Sequence, residues 1–487
     1  MPGVPSGKAC EACRKQKKKC DEKQPTCGRC LRLKIPCVGS GQQRFKFKEE
    51  KRFTRQIRRQ HEDTALSTAT ESNTPSPNST PLAPNSNGQL LFIHPSPSSS
   101  TIRLSNAFTQ AINRSTDIRY NLGWSFGLFL EEVPRRLGTN AALDRAVDAV
   151  TSAHADFCTR QHGSVQSLTK YAAALRTLRV YLDDPVHAQE TNTLAAVMIL
   201  LICQTMMGQN NTQHWSGHAE GATQILKARK DFGPRNEFEA KIYASLRGSV
   251  LFEGLFNHRI QLSPKEWDSL VTNEYDRVRP EGRLLQALSR GAGIMRRARK
   301  VLRTGTDPTG VQDELWALYQ ACKLDLSQLK QSSINKDLSV AEALPRGSCR
   351  SWLERLLTVH YDRIYGIGLV ITLFFNCMLQ ALGIHSDAVQ ADAYYFTEEI
   401  LMLVEISEDL RPIGSAYLVV ALMTAWAASR DTEQRGRVLA WVCDYQRDFN
   451  YKRGFLQQEL LWTAEHLALG DPLGLHRDLD YLDSLMG

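Results

Sequence analysis

The chain opens without an apolar run: residues 1–9 read MPGVPSGKA, which has no hydrophobic stretch for a secretory signal. The expected setting is therefore a reducing one, where thiols are kept from forming structural disulfides. Catalytic signatures are missing as well. There is no G-x-S-x-G elbow and no G-x-x-x-x-G-K phosphate cradle, and the GAG at 291–293 continues into IMRRA rather than completing G-x-G-x-x-G. His214 and His218 stand four apart in HWSGH, but the glutamate that zinc hydrolases use as a base does not follow His214. Packing of a helix around Trp215 and Ala219 accounts for that stretch, and no enzyme activity is expected. Strict strand alternation is also lacking.

Cysteine is sparse over most of the chain, with single residues at 158, 203, 322, 349, 377 and 443. The other six of the twelve fall inside 28 positions, residues 10–37, CEACRKQKKKCDEKQPTCGRCLRLKIPC. They lie at 10, 13, 20, 27, 30 and 37, so C-x2-C-x6-C occurs twice at an offset of 17. Disulfides are the rival use of such a framework, and the reducing setting argues against them. Thiolate-only ligation in a closed tetrahedral site suits zinc. One zinc takes four ligands, so two zincs need eight coordination positions from six sulfurs, and two sulfurs must bridge. The repeat nominates its equivalent first members, Cys10 and Cys27. An iron–sulfur cluster would leave two thiolates over.

This stretch resembles the DNA-binding module of the fungal binuclear zinc cluster transcription factors. All six cysteines match, with Arg14 after the second, a basic run before the third and Pro25 in the loop. The resemblance implies that Cys10, Cys13, Cys20 and Cys27 hold one Zn2+ and Cys27, Cys30, Cys37 and Cys10 the second. It also implies a nuclear, sequence-specific regulator of RNA polymerase II genes that binds double-stranded DNA and reads CGG-like triplets. The family's base-reading lysine falls on Lys17, with Lys18 as its neighbour. Gln16 stands where the family usually has Arg or Lys, which puts that one contact in question.

The two halves of the repeat differ in chemistry. Between its second and third cysteines the first half carries Arg14, Lys15, Gln16, Lys17, Lys18 and Lys19, and the second carries Leu31, Arg32, Leu33, Lys34, Ile35 and Pro36. The first is read as a DNA-facing basic surface, and the second as a source of apolar side chains that pack the module. Residues 1–61 hold 18 Lys/Arg against 5 Asp/Glu, a net +13 in a chain whose total is +8, so residues 62–487 net −5. Such asymmetry marks a polyanion-binding end. The absence of aromatic residues from 10–37 argues against single-stranded RNA, whose bases stack on rings. Arg14, Lys15, Lys19 and the arm residues Arg44, Lys46, Lys48, Lys51 and Arg52 are expected on phosphates. The basic runs 14–19 and 51–59 also suit nuclear import.

Beyond the arm, residues 45–63 place Phe53 and Ile57 on one helical face but fill fewer heptads than a coiled coil needs, so a homodimer stays open. Residues 64–101 include 25 Ser, Thr, Pro or Asn among 38, and the segment 62–101 is read as a disordered tether. The expected architecture is mainly α: a cluster domain at 1–61 with two short helices, that linker, and a large all-helical domain at 102–487. Helices are predicted near 139–158, 164–182, 191–208, 211–230, 311–331, 348–382, 388–409, 414–430 and 434–449. In 164–182 the expected buried face is Val165, Leu168, Ala172, Leu175, Leu178 and Leu182. The apolar 364–382 has the length of a membrane span but is interrupted by Asn376 and Gln380, and a core helix with no membrane partner is expected. Residues 173–226 resemble the helical regulatory domain found after such clusters, which implies contact with coactivators or corepressors. The tail 471–487 alternates acidic and apolar residues, as activation segments or docked terminal helices do. The competing overall reading is a helical interaction or ligand-sensing regulator whose cluster contributes little DNA targeting.

Overall fold

The computed structural model describes residues 9–37 apart from 22, 24 and 25, then 83–84 and 90–91. It further describes 99–468 apart from 113–116, 162, 208–214, 230–231, 258, 272–278, 344–347 and 450–454. The basic arm, the 45–63 segment, most of the Ser/Thr/Pro/Asn stretch, His214 with the side chain of His218, and the tail 471–487 lie outside the described residues. The chain divides into two compact units, Met1–Pro97 and Ser98–Gly487. Within the first, α1 (Glu11–Lys15) and α2 (Gly28–Leu33) belong to the cysteine repeat. A two-residue antiparallel ladder pairs Ala83 with Leu91 and Pro84 with Leu90, the one strand pairing among the described residues.

The regular structure among the described residues of the second unit is all helical, beginning with Ser100–Ile112. One centre is Thr191–Met206, in which every side chain from Thr193 to Met206 is buried. An unbroken apolar run with no polar face must be enclosed on all sides, and Ala141–Cys158, Val165–Asp183 and Trp215–Lys227 pack around it. The start is fastened by Asn140, which caps the neighbouring helix by accepting from the Leu143 N–H at 2.9 Å and donates to Glu190 Oε2 at 2.8 Å.

Val165–Asp183 departs from the expected face. Val165 is 68% exposed, whereas Ser167, Ala174 and Leu178 are buried. Leu168, Tyr171, Leu175 and Leu182 rest partly buried against the core. Val165 occupies the first helical position, short of where the neighbour begins to cover the stripe. Ser167 is drawn inward by its hydrogen bond to Ser152 at 2.9 Å.

The other centre is Ser348–Ala381, covered by Pro280–Thr304, Thr309–Ala343, Asp387–Ile406 and Leu418–Ala428. It contains the membrane-length stretch, and 83% of its most apolar window is buried inside the bundle. Asn376 and Gln380, which interrupted that stretch, are buried and bonded. Asn376 Nδ2 donates to Tyr319 Oη at 3.0 Å and to the Val389 carbonyl at 2.8 Å, and Gln380 Nε2 donates to Asn376 Oδ1 at 2.6 Å.

Glu237–Phe256 and Pro280–Thr304 were not among the predicted helices, and each has a glycine facing an aromatic neighbour. A Cβ at Gly254 would meet Trp267 Cη2 at 2.8 Å, and one at Gly291 would meet Phe375 Cε1 at 3.1 Å. These glycines are the points where neighbouring side chains approach the helix backbone. A buried ion cluster ties this region together: Glu239 is fully buried between Arg229 at 3.3 Å and Arg235 at 2.7 Å. Burial pushes the Glu239 carboxyl upward, but hydrogen bonds from Arg235 and Thr191 outweigh it and hold the group at about 2.

Candidate metal centre and basic face

The cysteine repeat folds as a structural repeat. The Lys18 N–H donates to the Cys13 carbonyl at 2.9 Å, and 17 residues later the Ile35 N–H donates to the Cys30 carbonyl at 3.1 Å. Lys17 and Lys34 end their turns in the left-handed region, with φ of 52° and 50°. Each half is thus a C-x2-C turn entering a short helix, stopped by a left-handed lysine that sends the chain back to its third cysteine. Helices this short are marginal alone, so something else must hold the halves together.

That something is a knot of sulfur. Cys10, Cys13, Cys27 and Cys30 are fully buried, with Cys20 and Cys37 partly covered. Two sets, Cys10–Cys13–Cys20–Cys27 and Cys10–Cys27–Cys30–Cys37, each place four sulfurs within 4.8 Å of one another and could each hold a metal ion. They share Cys10 and Cys27, the pair singled out by counting. Sulfur separations of 3.8 Å for Cys10–Cys27, 3.6 Å for Cys10–Cys30 and 3.8 Å for Cys13–Cys27 rule out disulfide bonds between them. They match the edge of a tetrahedron with Zn–S bonds of ~2.3 Å, which is about 3.8 Å.

The electrostatics fit the same group. The Cys27 thiol lies below its ordinary range because it accepts from the Cys30 N–H. Burial works against the Cys10 thiolate, yet the Cys13 N–H and neighbouring thiols bring it below its usual value too. Burial pushes Cys13 up to about 11. Six thiols this close cannot all ionise without a cation among them.

The basic residues sit on the outside. Lys15, Lys17, Lys18 and Lys19 are all exposed; Arg14 is placed in α1 by its backbone, its side chain being outside the described residues. The left-handed backbone at Lys17 sets the direction in which the expected base reader leaves the helix. In the second half the apolar residues do less packing than their composition indicated. Leu31 is 69% and Leu33 48% exposed, and only Ile35 joins Ala12 against the sulfur core. Helix α2 is too short to cover its own side chains, and no second layer packs on them among the described residues.

Two contacts were not foreseen. Arg29 Nη2 donates to Gln16 Oε1 at 2.6 Å, and its Nη1 lies 3.9 Å from Cys13 Sγ. The residue that departs from the family pattern is therefore engaged by a cation from the opposite half. Asp21 receives the Gly28 N–H at 3.0 Å on each carboxylate oxygen, which caps α2. The offset of 17 offered a signal for Arg29: its counterpart is Ala12, inside the first C-x2-C, so it had to lie close to the sulfurs.

Residues 8–46 match the family model of the fungal Zn(2)-Cys(6) binuclear cluster domain. No curated protein and no solved structure matches the chain.

Proposed function

Starting from a fungal-type zinc cluster DNA-binding regulator that carries two zinc ions in its N-terminal domain, we propose that this chain reads CGG-like triplets in duplex DNA. Its setting is the nucleus and its targets are genes transcribed by RNA polymerase II. The observation that carries this reading is the pairing of two four-sulfur sets sharing Cys10 and Cys27 with exposed lysines concentrated on one half.

Cys10, Cys13, Cys20 and Cys27 hold one zinc in this reading, and Cys10, Cys27, Cys30 and Cys37 the other. Bound zinc supplies the charge that allows six thiolates to lie together. The chain's own groups do the recognition. Lys17 and Lys18 donate to guanine O6 and N7 in the major groove. Arg14, Lys15 and Lys19, with the arm residues Arg44, Lys46, Lys48, Lys51 and Arg52, neutralise phosphates and give affinity without sequence information. Two zincs with six thiolates contribute formally −2, so residues 1–61 remain at +11 from their sequence charge of +13. Gln16, with Oε1 accepting from Arg29, has its amide donors left for an acceptor such as phosphate or guanine. The helical unit regulates activity through coactivators or corepressors. DNA-binding domain 1–61, linker 62–101 and helical domain 102–487 are the functional divisions.

Titration of Lys17→Ala and Lys18→Ala proteins against CGG-containing and scrambled duplexes tests the assignment. At least one substitution should weaken specific binding by about 1–3 kcal/mol while leaving binding to the scrambled duplex nearly as before. Unchanged discrimination in both variants would sink the assignment and favour the alternative, a helical interaction or ligand-sensing regulator with little DNA targeting by its cluster.

A further inference from the structure

The helical unit contains a cavity of about 180 Å3 where Ser348–Ala381, Leu418–Ala428, the start of Thr432–Phe449 and the end of Phe455–Leu467 meet. Its polar groups are the guanidiniums of Arg430 and Arg435 and the carboxamide of Gln380. The rest of the described wall is alanine, Leu467 and the Cys377 thiol, and none of the described lining residues is a carboxylate. Burial pushes that thiol up to about 12 against the pull of Arg430, so the floor is neutral.

Both arginines are held from behind. Arg430 Nε donates to Gln380 Oε1 at 3.0 Å, Gln380 Nε2 to Asn376 Oδ1 at 2.6 Å, and Asn376 Nδ2 to Tyr319 Oη at 3.0 Å. Tyr319 Oη donates in turn to Asp392 Oδ2 at 2.8 Å, which also receives Lys323 at 2.5 Å. Every donor in this series points the same way, from a cation at the cavity to a carboxylate across the core helix. The three relaying side chains are almost wholly enclosed: Gln380 is 4% exposed, Asn376 0% and Tyr319 0%. Such a chain is mutually polarised and rigid. Arg435 Nη2 donates to the Ser429 carbonyl at 2.7 Å, and its guanidinium lies 5.3 Å from the Trp426 ring centre.

The described acidic groups nearby are engaged elsewhere. Asp431 Oδ1 accepts from the Gln434 N–H at 2.7 Å, and Glu398 is taken by Arg437 and Gln434, both at 2.9 Å. Arg430 has no ion pair among the described residues.

We propose that this cavity is a binding site for a small carboxylate, with Arg430 taking the acid group and the alanine-lined wall taking a short apolar body. Guanidinium forks match carboxylate geometry, and partners that fix them beforehand lower the cost of binding. At ~30 Å3 per water-sized group, the space holds roughly six heavy atoms. The carboxylate has two sources, a free organic acid or the chain's own Asp471. Asp471 follows the wall residue Ala468 by three positions, a span of at most ~11 Å. The site stands independently of the cluster and its DNA target.

Butyrate, with six heavy atoms, is a suitable probe, titrated calorimetrically into the zinc-loaded full chain, with butylamine as the cation of matched shape. Saturable butyrate binding at one site is expected, weakened about tenfold or more by Arg430→Ala, with none for butylamine. Arg430→Lys keeps the charge without the fork; it should also bind more weakly while its melting curve stays that of the parent, which separates the site from a folding defect. Asp471→Asn distinguishes the sources: tighter butyrate binding identifies the tail carboxylate as the resident, and unchanged binding identifies a free acid. Butylamine binding as well as butyrate, unaltered binding in both Arg430 variants, or no butyrate binding by either the parent or Asp471→Asn would overturn the proposal.

Discussion

The two compact units solve the problem of a core with different materials. The helical unit buries hydrocarbon: Trp426, Tyr319, Phe108, Phe129, Phe374 and Phe375 are among its largest enclosed side chains, and burial at ~25 cal/mol per Å2 suffices to order a long chain. The cysteine repeat has four buried cysteines at its centre and leaves Leu31 and Leu33 in solvent. A module of this size has too little apolar area to offset its chain entropy, and metal–thiolate bonds stand where a hydrocarbon core would be. One unit should therefore depend on metal and be indifferent to a lost ring, and the other the reverse.

Removing zinc is the strongest way to break that contrast. Structural zinc sites contribute ~10–16 kcal/mol of apparent binding energy, so a chelator should abolish selective duplex binding and unfold residues 10–37. The far-ultraviolet helix signal and melting temperature of the helical unit should stay unchanged. A parallel loss of both signals would mean that the units do not fold independently.

The converse experiment is Trp426→Ala. Trp426 is 1% exposed, and such truncation should cost about 3–5 kcal/mol of the helical unit's stability, while zinc content and duplex binding persist below the new melting point. Acid gives a smaller, graded effect. Glu239 sits at about 2 in the folded chain against an ordinary 4.5, so the unfolded state binds the proton first. Its stabilisation is complete above the ordinary value and is lost as pH falls from there toward 2, a change on the order of 2–3 kcal/mol. Comparing acid melts of Glu239→Gln with the parent measures it: the variant should start less stable at neutral pH and lose less on acidification.

The smallest effect concerns the exposed leucines. Leu31→Ser should shift the stability of the zinc-loaded module by less than about 0.5 kcal/mol, measured by chelator competition. A large loss of zinc would show that the second half has an apolar core after all.

Legibility followed the range of the forces involved. Helices with a continuous apolar run, Thr191–Met206 and Ser348–Ala381, were readable because their signal is local and strong. Glu237–Phe256 and Pro280–Thr304 were not, since neither carries such a run and their packing, with Trp267 against Gly254 and Phe375 against Gly291, exists only in the folded chain. The Val165 error has the same origin: periodicity gives a stripe, and only the neighbour decides where along the helix it is covered. At the metal centre the six ligands and the shared pair were countable, because coordination number and repeat offset are arithmetic. The Gln16–Arg29 contact joins residues from opposite halves at a distance set by the folded cluster, and counting could not supply it.

By itself the sequence determined the metal chemistry, the asymmetry of charge and the helical class, since thiolate number, lysine position and apolar period are properties of the chain. Only the tertiary structure decided which faces are covered, that the polar residues of the apolar helix form a directed chain, and that this chain starts from Arg430 at a cavity. Those depend on side chains from distant segments meeting in space, and that proximity is created by packing alone.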